Sequence, residues 1–158
     1  NIEGAFVHGS DLCLLQRGNR GAPQSGVLRY ELAAFLESLE SGALLAPRSF
    51  CALELGAIDG VTLSPTDGAI LPDGDFIFSA VAEDTKDSYR DGPCVGAALG
   101  IARPDGQVRS LWRLEHPHKV EGVDASVAGD IVQLLLVTDA DDPAIAAGLY
   151  SASISLQA

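Results

Sequence analysis

Asp67-Gly68-Ala69-Ile70-Leu71-Pro72-Asp73-Gly74-Asp75-Phe76-Ile77-Phe78 runs from an acidic residue and a glycine, through a turn, into an apolar strand. Pro72, Asp73 and Gly74 each favour a turn position, and the near-continuous apolar run Phe76 to Val81 is the pattern of a buried strand. The same opening stands twice more in the chain. Glu3-Gly4-Ala5 leads to Leu12-Cys13-Leu14-Leu15, and Glu121-Gly122-Val123 leads to Leu134-Leu135-Leu136-Val137. Each strand ends near polar residues: Arg17 and Asn19; Glu83 and Asp84; Asp139, Asp141 and Asp142. The acidic residues lie 64 and 54 positions apart, near the size of a four-stranded propeller blade with insertions.

Working outward, the turn chemistry divides the chain into short strands. His8-Gly9-Ser10-Asp11 separates Ala5–Val7 from Leu12–Leu15, and Arg103-Pro104-Asp105-Gly106 joins Val95–Ala102 to Gln107–Leu114. Strand character also marks Gly26 to Leu32, Phe50 to Leu55, Val120 to Val127, Ile131 to Thr138 and Gly148 to Leu156. One segment changes period. Leu32, Phe35, Leu36 and Leu39 fall on one helical face, and Gly42 supplies a stop, so a short peripheral helix is expected over Leu32 to Ser41. The count is ten to twelve strands in three units, about 1–56, 57–118 and 119–158, in a single domain. The expected fold class is all-β.

The bulk numbers bound the partners. Among 158 residues, 47% are apolar and 20% charged, with 17 glycines and 8 prolines, which suits a globular chain of many turns. The formal net charge of −12 repels phosphate backbones and anionic lipid, so neither nucleic acid nor a membrane is an expected partner. No apolar run has the length of a membrane span. Asn1 falls on the threshold of a strand pattern, so the sequence reads as starting inside a longer protein. Cys13, Cys51 and Cys94 lack metal-ligand spacing, and Cys13 and Cys51 read as buried free thiols.

Asn1-Ile2-Glu3-Gly4, Asp67-Gly68-Ala69 and Lys119-Val120-Glu121-Gly122 together resemble a bacterial β-propeller family similar to the esterase-like phytases. The resemblance extends to Leu14–Asn19, to Ala82–Thr85 with Tyr89–Gly92, and to Leu136–Asp141. It implies a partial propeller of about three blades of four-stranded antiparallel sheet, half of a six-bladed ring. The remainder would come from further residues or from self-association. It also implies phosphate-ester chemistry, although fold alone does not carry function.

In such a ring Glu3, Asp67 and Glu121 occupy equivalent places at one channel mouth. Converging carboxylates there would ligate calcium through oxygen, and the cation would hold a phosphorylated or other small-molecule ligand. The competing reading is structural: an acidic side chain at the head of an inner strand accepts backbone N–H groups from the next blade. That reading is favoured. Arg17, Asn19, Glu83, Asp84 and Lys119 are the candidate ligand-binding residues at strand ends, with His118 beside Lys119 as a further anion contact. The loop from Glu83 to Gly92 is the richest polar segment but lacks EF-hand spacing, and Asp139, Asp141 and Asp142 read as a turn that either caps the strand or contributes oxygen ligands, capping being favoured. No Gly-x-Ser-x-Gly elbow or Gly-rich phosphate loop is present, so no catalytic residue is assigned. The leading expectation is a ligand-binding or scaffold propeller. The alternatives are a calcium-dependent phosphoesterase and a self-associating propeller half.

Overall fold

Residues 76–83 are buried without exception, so the strand they form must be covered on both faces, and three stacked sheets supply that cover. The computed structural model describes residues 1–18, 24–84 and 92–156; Asn19 and positions 85–91 of the polar loop lie outside the described residues. The first sheet runs β1 (Ile2–His8), β2 (Asp11–Gln16), β3 (Gly26–Glu31), β4 (Ser49–Ala52), with helix α1 (Leu32–Ser41) between β3 and β4. The second holds β5 (Ala57–Ile58), β6 (Val61–Ile70), β7 (Phe76–Glu83), β8 (Cys94–Ala102) and β9 (Val108–Arg113). The third holds β10 (Val120–Ala128), β11 (Ile131–Thr138) and β12 (Leu149–Ser155). Every pairing is antiparallel and joins strands consecutive in sequence. The protein is all-β with one short helix.

The sheets hold four, five and three strands, where a uniform four was expected. The second gains β5 through Asp59-Gly60. Both residues take positive φ, 50° and 82°, as a two-residue hairpin turn requires. Helix α1 keeps its expected bounds. Glu31 caps it by accepting from the Ala33 and Ala34 N–H groups, and Gly42 ends it in the left-handed region. None of its residues is buried, and Phe35 meets Tyr30 edge-on at 5.3 Å, so the helix rides on the outside of the first sheet.

Strand β7 divides its side chains between two cores. Phe76, Phe78, Ala80 and Ala82 face the first sheet and pack with Phe6, Cys13, Leu15 and Val27; the Phe6 and Phe76 rings stack at 4.9 Å. Ile77 packs the other way, with Leu99, Val120, Val132, Leu134 and Leu136. Alternation places neighbouring residues on opposite faces, so a continuous apolar run is the signature of a strand covered twice. Cys13, Cys51 and Cys94 are all free, and only Cys13 is fully buried; burial raises its thiol pKa.

The three leading strands stand together, with β6 between β1 and β10. Each carries a bulge at or beside its acidic residue, near the opening of β1 and β10 and midway along β6. The register skips Glu3 between Ile2 and Gly4, Thr66 between Pro65 and Asp67, and Glu121 between Val120 and Gly122. A proline inside a paired strand is tolerated at such a bulge, which is where Pro65 sits. By register, then, Thr66 is level with Glu3 and Glu121, and Asp67 lies one place further on. Gly4 lets β1 approach β6: a methyl group there would lie 2.7 Å from the Asp67 Cα. At Gly122 the nearest contact would be an ordinary 3.6 Å. Gly4→Ala is therefore expected to destabilise by about 1–3 kcal/mol, because backbone must move. Gly122→Ala, at the same place in the repeat, is expected to stay within about 0.5 kcal/mol of the wild type. Urea unfolding of both variants checks the contrast.

Candidate functional site

Glu83 ends β7, and its carboxylate has no exposed surface. A bare charge there would be costly, so cations must reach it. Arg17, just past β2, donates from Nη2 to Oε2, and Lys119, just ahead of β10, brings Nζ to 3.0 Å from Oε1. The Lys119 contact lies off the hydrogen-bonding direction: Oε1 is neutralised in charge but lacks an aligned donor. Each of the three sheets thus delivers one ionic side chain to a single point.

Lys119 holds more than one acid. Its ammonium donates to Asp141 Oδ2 and stands 3.5 Å from Glu121 Oε1. Burial works against its charge, but the Asp141, Glu83 and Glu121 carboxylates outweigh that, and its pKa lies above the usual lysine range. Glu121 moves the other way. Burial pushes its carboxyl up to about 7 against the pull of Lys119, and the charges of Glu83 and Glu3 add to the rise. Asp141 has φ 52°, an uncommon backbone for a residue with a side chain, and its N–H is held by Asp139 Oδ1.

A groove of about 580 Å³ opens beside this junction. Its lining includes Lys119, Asp139, Asp141, His118, Tyr150 and Cys94. The His118 and Tyr150 rings meet at a tilt with centroids 4.9 Å apart, and the Tyr150 ring lies against Gly148, where an added methyl would be 2.5 Å from it.

The chain belongs to the DUF6910 family. That family, described as one of unknown function, matches residues 1–143. The matched region takes in the whole ionic junction and stops short of β12, which carries Tyr150. No curated protein and no solved structure matches the chain. Membership therefore names neither a reaction nor a ligand, and the geometry has to speak for this DUF6910 member.

Of the candidates read from sequence, Arg17, Glu83 and Lys119 meet in one network, while Asp84 is exposed and Asn19 lies outside the described residues. The three acids of the repeat part company. Glu121 joins the network and Glu3 lies close enough to raise its pKa. Asp67 instead accepts the Val123 N–H at 3.0 Å through Oδ2, pinning β10 to β6. Next to it, Thr66 Oγ1 donates to the Val120 carbonyl at 2.6 Å and lies 2.7 Å from Ser79 Oγ, both hydroxyls buried. Among the described residues no three His, Cys, Asp or Glu side chains are grouped to hold a metal ion. With Asp67 on a backbone amide and Glu121 beside an ammonium, the set does not fit a calcium site of three converging carboxylates.

Sequence reading did not single out Thr66, Ser79 or Tyr150, and for Asp141 it favoured a capping role over that of an oxygen ligand. The one signal for Tyr150 was the small residue two places before it.

Two outcomes follow. Asp67→Ala, which leaves the Val123 N–H without its acceptor, is expected to cost about 1–3 kcal/mol, and Asp67→Asn, which keeps an oxygen there, less. Equilibrium denaturation measures both. The second concerns pH. Folded Glu121 keeps its proton to about 7, whereas the ordinary value is 4.5, so the unfolded chain binds fewer protons between those limits. Its contribution is fully present below about pH 4.5 and is lost as pH rises to about 7. Melting temperatures of the wild type and Glu121→Gln at pH 5 and pH 8 should show the variant relatively more stable at the higher pH.

Proposed function

We propose that this DUF6910 member is a ligand-binding module built as three blades of a β-propeller, with its site at the ionic junction and the adjoining groove. The carrying observation is the convergence of Arg17, Glu83 and Lys119 from three sheets onto one buried point at the groove wall. An ionic cluster that fastens three sheets gives a rigid rim, and rigid rims with loops beside them suit binding. The propeller reading draws on the adjacent strands β1, β6 and β10, each with an acidic residue followed by a glycine at a bulge. It also draws on the two outward faces of the stack. Val7 and Phe50 on one, and Leu135 and Val137 on the other, are more than 40% exposed, as faces awaiting a further sheet would be.

Binding is the better reading than phosphoester hydrolysis because the two cations already neutralise buried or half-buried acids. A phosphate would have to displace Glu83 or Asp141 to reach them. The test is a thermal-shift panel of amines, carboxylates, inositol phosphates and calcium, run beside phosphatase assays with and without chelator. At least one organic ligand should raise Tm with dose and lose its effect in Tyr150→Ala, with no phosphoester turnover. Calcium-dependent hydrolysis, or a panel without any binder, would overturn the proposal.

A further inference from the structure

We infer that the groove takes an organic cation, an ammonium head on a small apolar body, in preference to an anion. This inference rests on the groove being a binding site, as proposed above, and adds the sign of what it binds.

The charge count at the groove decides the sign. Among the described residues, Asp139 and Asp141 line the groove with Lys119, and Glu83, Glu121 and Arg17 belong to the network that holds Lys119: four carboxylates against two cations. With Glu121 protonated the balance is still negative. Both cations lie inside the network, each in contact with Glu83, so neither presents an open anion site. Asp139 is an exposed lining residue whose Oδ1 accepts only a local backbone N–H. The surrounding chain, 22 acidic residues against 10 Lys and Arg, reinforces the field.

The aromatic pair gives the second half of the argument. Tyr150 lines the groove, with the His118 ring tilted against it at 4.9 Å and the bare backbone of Gly148 at its hydroxyl end, so the phenol is held there at little entropic cost. A cation over an aromatic face, with carboxylates within reach, is attracted by ring quadrupole and charge together. An anion at the same place meets repulsion from both. The buried Glu83 Oε1, with no aligned donor, adds negative potential behind the Lys119 wall.

The experiment titrates the whole chain with choline, with its uncharged isostere 3,3-dimethylbutan-1-ol, and with inorganic phosphate, at low ionic strength and with NMR detection. Choline should bind about three- to tenfold more tightly than the isostere, the range expected of one cation–π contact with nearby charge. That margin should vanish in Tyr150→Ala and shrink in Asp139→Asn, two exposed positions whose replacement leaves both cores intact. Equal binding of choline and the isostere would overturn the inference while keeping the groove as a site. So would phosphate binding that is lost in Lys119→Met. Absence of choline binding at about 10 mM also overturns it, and the wider ligand panel then decides separately whether the groove binds anything.

Discussion

A carboxylate with no exposed surface, at the end of the most deeply buried strand, is the constraint on which the arrangement turns. Arg17 and Lys119 both reach Glu83, and those two come from different sheets. Removing water from an ion costs several kcal/mol, so the pairs add less net stability than their short contacts suggest. What they add is placement. The ends of β2, β7 and β10 must come to one point, and sliding any sheet by a residue would strand a buried charge. The apolar cores have no such directionality, since many registers would bury Phe76, Phe78 and Leu134 about equally well.

A second set of polar contacts acts a few residues away and has the same logic. Asp67 accepts a backbone amide of β10, and the Thr66 hydroxyl donates to a backbone carbonyl of the same strand. Facing sheets in a stack ordinarily meet through side chains alone. Here the leading strands are tied by hydrogen bonds across the sheet boundary, at the bulges that interrupt their own ladders. A bulge leaves one residue outside the pairing, so its side chain or backbone is available to the neighbouring sheet. The repeated acidic residue and glycine thus mark a joint between sheets.

This explains which features the sequence displayed. Local chemistry was legible. The helix bounds followed from the spacing of Leu32, Phe35, Leu36 and Leu39 with Gly42 beyond, and the run Phe76 to Val81 announced a doubly covered strand. Glu83, Arg17 and Lys119 stood out as charged residues at strand ends, and the structural role expected of an inner-strand acid is what Asp67 performs. Contacts between residues 36 to 66 apart left no local pattern, so the Thr66–Val120 bond and the partners of Glu83 could not be read. The equivalence of Asp67 with Glu3 and Glu121 was a matter of residue type. The register shift at Thr66 displaces it by one place, and period-two geometry turns one place into the opposite face.

That one-place shift also bears on chemistry. Three carboxylates level with one another would repel strongly enough to need a divalent ion at their centre. Asp67 instead turns toward β10 and Lys119 stands beside Glu121, so an amide and an ammonium meet two of the three acids from within the chain. Asp139 and Asp141 line the groove with Tyr150, and of the two only Asp141 is held by Lys119. The chain's own groups thus meet Asp67, Glu83 and Glu121, and the outer acids lie beside an aromatic ring. The inner set governs how the sheets are held. The outer set is the part of the junction a ligand can reach, and its sign is negative.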